Sequence, residues 1–210
     1  MQAPDRPAVR VGNFQPQELF SDNIEAGDAK WSHASAFKKK KKKVPIDPWA
    51  ISTRRFRSGG KSWFAADSDA PSDAHLDSVA TLLPADVKNL QLIFYHTLEF
   101  EGGGYDGGVL EISANGGDFE DLGAKILRGG YTGKIARTTT NTLSERDGWI
   151  GGTLGGFQQV VVDLSAYAGK SVVIRFRVGT DASIKAAGWY IDDVMLRADR
   201  VTCTPVAFEQ

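Results

Sequence analysis

The stretch Leu90-Gln91-Leu92-Ile93-Phe94-Tyr95-His96-Thr97-Leu98-Glu99-Phe100 decides the fold class. Leu90, Leu92, Phe94, His96, Leu98 and Phe100 share one parity, while Gln91, Tyr95, Thr97 and Glu99 share the other. Successive side chains of a strand point to opposite faces, so this period of two predicts a long strand with one buried and one wetter face. Downstream, residues 107–113 read as another strand, ended at Asn115-Gly116-Gly117, where Asn and Gly tolerate positive φ. Val160, Val162 and Leu164 alternate ahead of a turn over 165–170. Val172, Ile174, Phe176 and Val178 then alternate against Arg175 and Arg177, and residues 189–196 read as a last strand. Upstream, a first strand is expected near residues 18–24. The expected fold is all-β: one antiparallel β-sandwich with jelly-roll topology.

Composition agrees with one such core. The chain has 210 residues, 41% of them hydrophobic, and its 23 glycines suit many turns between short strands. Residues 1–16, with Pro4, Pro7 and Pro16, read as a loose N-terminal segment, 17–198 as the sandwich and 199–210 as a tail. Two excursions interrupt it. Residues 37–60 carry the lysine run Lys38 to Lys43, whose mutual repulsion suits a flexible basic loop. Residues 129–157 form a long Gly- and Thr-rich loop.

A net charge of −1 gives no global field toward nucleic acid, so no specific nucleic-acid partner is expected. No apolar run reaches membrane-spanning length. Cys203 is the single cysteine, which excludes an intrachain disulfide or a cysteine-built zinc site. The N-terminus lacks the apolar segment of a secretory signal. The chain is thus either intracellular or a piece of a longer secreted precursor, and is read as a monomer.

Candidate sites follow from residue chemistry. Calcium takes six to eight oxygen ligands, and Glu25 and Asp28 after the first strand, with Asp192 and Asp193 on the last, supply carboxylates if those strands lie side by side. Adjacent acids in a regular strand point to opposite faces, so one of Asp192 and Asp193 is expected to ligate. Tyr95, Tyr105, Tyr131 and Trp149 offer an aromatic platform for sugars, against the favoured reading that Tyr131 and Trp149 plug the long loop onto the sandwich. Arg175 and Arg177 are expected to meet Glu99 or Glu111 across the sheet. His96 is read as a core histidine bonded to backbone, and Asp67, Asp69, Asp73 and Asp77 as a solvated edge or loop. Glu99, Glu101 and Asp106 offer paired carboxylates for a glycoside-active enzyme, a weak signal without a defined cleft. No catalytic residue is assigned.

Tyr105-Asp106-Gly107-Gly108-Val109-Leu110-Glu111-Ile112-Ser113, with Asn115-Gly116-Gly117 behind it, resembles a segment of bacterial extracellular jelly-roll (MAM-like) domains found in immune-inhibitor-A-like secreted metallopeptidases. Gly130-Tyr131-Thr132-Gly133, Trp149-Ile150-Gly151, the Val162–Gly169 segment, Arg175-Phe176-Arg177, Gly179-Thr180-Asp181 and Gly188-Trp189-Tyr190-Ile191-Asp192-Asp193-Val194 follow in the same order. The resemblance runs from about residue 20 to 197. It departs at the lysine run and at Glu120, where an aromatic is common, and no His-Glu-x-x-His peptidase motif occurs. It implies a non-catalytic, secreted accessory domain with a structural calcium between the N- and C-terminal strands. The implied partner is a parent peptidase domain or an extracellular protein or glycan surface. An independent carbohydrate-binding or adhesion module is the alternative.

Overall fold

The computed structural model describes residues 10–36, 47–68, 70–181 and 184–205. Fifteen strands run in chain order: β1 (Arg10–Asp22), β2 (Trp31–Ser35), β3 (Trp49–Ser52), β4 (Ser62–Ala65), β5 (Ser72–Ser78), β6 (Thr81–Leu82), β7 (Val87–Glu99), β8 (Gly107–Ala114), β9 (Phe119–Asp121), β10 (Ile126–Arg128), β11 (Gly133–Lys134), β12 (Asp147–Ile150), β13 (Gln158–Asp163), β14 (Ser171–Thr180) and β15 (Gly188–Pro205). One sheet has the order β10-β13-β7-β15-β4-β3, with β1 also on β15. The other has the order β11-β12-β8-β14-β5-β2, with β6 on β14 and β9 on β8. Every pairing is antiparallel, and consecutive long strands cross between sheets, giving the jelly-roll sandwich.

The period-two reading of β7 holds. Leu90, Leu92, Phe94, His96, Leu98 and Phe100 are all buried and meet Val172, Ile174, Phe176 and Val178 of β14 in one core. Aromatic rings fill its centre: Phe94 stands edge-on to Phe176, with centroids 4.9 Å apart, and Trp149 and Trp189 lie 5.6 Å apart. The two glycines opening β8 make room for them. A Cβ on Gly108 would lie 2.5 Å from the Trp189 ring, and one on Gly107 would lie 2.9 Å from the Trp149 carbonyl.

The structure extends or corrects several boundaries. The first strand begins at Arg10 rather than near 18, and the last continues to Pro205, because β1 and β15 pair from Arg10↔Pro205 to Asp22↔Val194. Pro16 is tolerated there because β1 is an edge strand, where a missing N–H breaks no central ladder. The expected loop over 37–60 contains β3, and residues 57–60 are pinned by Asp192 and Glu25, while residues 37–46, the lysine run among them, lie outside the described residues. Residues 129–157 are likewise ordered by apolar burial. Ile135 and Leu143 pack on Val109 in a second small core on the outer face of β8.

Candidate functional site

Four loops converge at one end of the sandwich. Asp67 follows β4, Glu101 follows β7, Asp106 precedes β8 and Asp181 follows β14. One carboxylate oxygen each from Glu101, Asp106 and Asp181 lies within 4.8 Å of the others, the one such acidic trio among the described residues. Asp106 is 0% exposed. Its Oδ1 accepts the Asp181 N–H at 2.6 Å, and its Oδ2 is buried with no hydrogen-bond partner. Asp67 is also buried; its Oδ2 accepts the Ala186 N–H at 2.8 Å, and its Oδ1 has no hydrogen-bond partner.

Electrostatics make this arrangement unstable as a set of bare anions. Burial, followed by the carboxyl–carboxyl hydrogen bond with Asp67 and by the Asp67 and Glu101 charges, raises the Asp106 pKa to about 9. Burial also raises Asp67 above the usual carboxylate range. A proton that Asp106 shares with Asp67, or a cation, neutralises the buried Asp106 carboxyl, and an all-oxygen donor set matches a hard divalent ion such as calcium. Orphaned buried oxygen and donor chemistry thus both fit the ion.

The four acids assigned to calcium from sequence form no trio at metal-ligating distance among the described residues; Glu25, Asp192 and Asp193 hold the 57–61 loop instead. Glu25 Oε1 accepts the N–H groups of Gly60 and Lys61, each at 2.8 Å, and Asp28 is exposed in the turn before β2. Asp192 Oδ2 accepts from the Arg57 and Ser58 N–H groups at 2.7 and 3.3 Å. Asp193 takes the Arg57 guanidinium at 2.6 Å and the Ser58 hydroxyl at 2.7 Å. The opposite-faces expectation for Asp192 and Asp193 fails because β15 bulges there. Register shifts between Asp192 and Met195, Asp193 has φ 48°, and both acids hold the same loop. The acids between the first and last strands therefore fasten the β3–β4 connection to β15. Lys30 and Arg57 supply cations there: the Lys30 ammonium lies 4.0 Å from Asp22.

The aromatic platform does not assemble either. Trp149 is buried, its Nε1–H shared between the carbonyls of Gly129 and Gly130, and Tyr131 stands edge-on to it at 4.8 Å. The Tyr131 hydroxyl accepts the Leu110 N–H at 2.9 Å. These two rings plug the loop. Tyr95 faces the other side of the molecule, under the Arg57 guanidinium at 3.6 Å, and Tyr105 is 43% exposed.

Arg175 and Arg177 do not use Glu99. Arg175 grips Asp77 through two bonds of 2.7 Å, and Arg177 grips Asp73 through bonds of 2.7 and 2.8 Å while reaching Glu111 at 3.4 Å. Arg146 holds Glu111 and Asp121 at 2.6 Å each. Asp73 and Asp77 are therefore partners on β5, not a solvated edge; Asp67 is buried at the end, and Asp69 lies outside the described residues. His96 is a core residue as expected, but its Nδ1 accepts the Trp189 Nε1–H at 3.1 Å rather than meeting backbone. Burial lowers its pKa to about 4, so it is neutral. Glu120, the departure from the family pattern, accepts the Tyr167 hydroxyl at 2.7 Å.

No family model matches the chain. A 52-residue stretch, 25% of this chain, is 40% identical to Bacillopeptidase F of Bacillus subtilis, and spans 4% of that much longer protein. Among solved structures, a cleaved adhesin domain of Lys-gingipain from Porphyromonas gingivalis is similar over 84% of this chain and 96% of its own, with TM-score 0.51 and 21% identity. TmCBM61 in complex with β-1,4-galactotriose aligns over 86% of this chain and 97% of its own, with TM-score 0.49 and 16% identity. The β-sandwich is shared with the adhesin domain.

Proposed function

We propose that this chain is a non-catalytic binding or accessory module of a larger secreted protein, with a calcium ion closing one end of the sandwich. The observation that carries the ion is the fully buried Asp106, one oxygen orphaned, facing Asp67, Glu101 and Asp181. Glu101, Asp106 and Asp181 would hold it, with Asp67 beside them. The ion would tie together the ends of β4, β7 and β14, so its role is structural. The module reading is supported by the sandwich shared with a gingipain adhesin domain and by the partial match to Bacillopeptidase F. A secreted peptidase, of the immune-inhibitor-A-like class that the YDGG segment resembles, is the parent we infer.

A thermal melt with calcium chloride and with excess EDTA tests the ion. An ion bound only to the folded state at ~100 times its Kd adds roughly 2.7 kcal/mol, which for a chain of this size raises Tm by about 5–11 °C. Superimposable melts would remove the ion from the proposal.

A further inference from the structure

Beside the β13–β7–β15 sheet, two loops border a shallow, open cleft of about 450 Å³ lined by residues 54–57 of one and 155–157 of the other. From this geometry we infer that it binds an acidic sugar unit, a pyranose bearing a carboxylate or a sulfate ester. The inference rests on the module reading above and names its ligand class.

The charge balance around the cleft is uneven. Arg57 is satisfied by Asp193 and by the Tyr95 ring. Arg54 and Arg55 have no carboxylate partner among the described residues. Arg54 is exposed, and Arg55 is anchored through Nη2 to the Gly155 carbonyl at 2.6 Å. That bond holds the Arg55 guanidinium across the cleft, while its buried Nε has no hydrogen-bond partner. A guanidinium presents paired donors that fit the planar oxygens of a carboxylate or two oxygens of a sulfate, with geometry a point charge lacks.

Phe56 lies between the two arginines and Arg57 in sequence, yet is 43% exposed, and half-buried Phe157 lines the same cleft from the other loop. An exposed ring beside an unneutralised cation offers a ligand apolar area and charge together. The flat face of a pyranose offers aligned C–H groups to such rings and leaves its acid substituent for the arginines. The walls are loops rather than free strand edges, so backbone pairing with an extended peptide is not the mode they offer. Gly155 and Gly156 leave one wall without side chains, and a Cβ on Gly156 would meet nothing within 4 Å.

Isothermal titration with digalacturonate, a sulfated disaccharide and neutral mannobiose tests this. It is run on the full chain and on a version with Lys38 to Lys43 changed to serine, which removes capture by the lysine run. Binding of an acidic disaccharide in both versions is expected, weakened by salt, and about tenfold weaker in Arg54→Gln or Phe56→Ala. Both variants are exposed positions and should melt as wild type does. The uronate and sulfate arms identify which acid is preferred. Equal affinity for mannobiose, untouched by Arg54→Gln, would overturn the acidic ligand and leave the module reading standing. Binding lost only with the lysines would overturn the cleft. Silence toward all three sugars, with a calcium-dependent melt intact, would overturn the cleft alone and leave the ion.

Discussion

Two sets of carboxylates sit at comparable depth in this sandwich and meet opposite surroundings. On the outer face of the β5–β14–β8 sheet, Asp73, Asp77 and Glu111 each face a guanidinium. At the sandwich end, Asp67, Glu101, Asp106 and Asp181 face one another. Arginine bonds overcome the desolvation of Asp73 and Asp77 and hold both below the usual carboxylate range. Burial and neighbouring acids push Asp106 the other way, to about 9. The first set is complete within the chain and serves stability; in the second, Asp106 and Asp67 each keep a buried oxygen that no donor reaches.

The strongest way to break this contrast is to remove one guanidinium of the first set. Arg177→Met leaves Asp73 and Glu111, 6% and 3% exposed, without that guanidinium. Removing one partner of a buried pair costs about 3–5 kcal/mol, whereas replacing both by apolar groups is often neutral. A urea titration should therefore show a large loss for Arg177→Met and substantial recovery in Arg177→Met/Asp73→Leu. A loss below ~1 kcal/mol would make the first set an ordinary surface array.

A smaller and more informative effect comes from pH. In cation-free protein, Asp106 folds protonated and unfolds as a carboxylate, so the native state holds an extra proton between about 3.9 and about 9. Its contribution is full below the lower value and is lost as pH rises through the upper one. Asp73 and Asp77 have the opposite sign: their contribution is present at neutral pH and lost as pH falls through their depressed values. EDTA-treated protein should thus lose stability on both limbs. Calcium should restore the alkaline limb, because binding displaces the proton. Asp106→Asn should flatten that limb and abolish the calcium response while leaving the acid limb in place. An alkaline limb retained in Asp106→Asn would move the titrating group elsewhere.

The contrast also shows what the sequence could and could not disclose. Regular strands were legible because burial on one face imposes period two, and the turn at Asn115-Gly116 was legible because both residues take positive φ. The plugs Tyr131 and Trp149 followed from the tendency of large rings to be buried. Pairing partners were less accessible: Asp73 and Asp77 look like loop acids until β5 lies beside β14. The bulge at Asp193 was hidden because nothing in Asp192-Asp193 announces a left-handed φ. Glu101 and Asp106 did stand out as acids close in sequence. Asp67 and Asp181 join them only through the ends of β4 and β14, so the chemistry suggested by two acids alone was of another kind.

The finest test asks whether the end cluster depends on its side chains alone or on the loop that carries them. Tyr105, next to Asp106, contributes its backbone carbonyl, which accepts the Asn141 Nδ2–H at 2.7 Å, while its ring lies exposed over Gly103. Tyr105→Ala keeps the carbonyl and removes only exposed ring area. It should change stability by no more than about 0.5 kcal/mol and leave the calcium-induced rise in Tm intact. Asn141→Ala removes the amide that holds both this carbonyl and that of Gly179 at 2.9 Å, bonds that brace the loop before β8 against the end of β14. If Tyr105→Ala alone silenced the calcium response, the ring would be orienting the Gly102–Gly104 turn. The cluster's affinity would then reside in loop packing rather than in the carboxylates themselves.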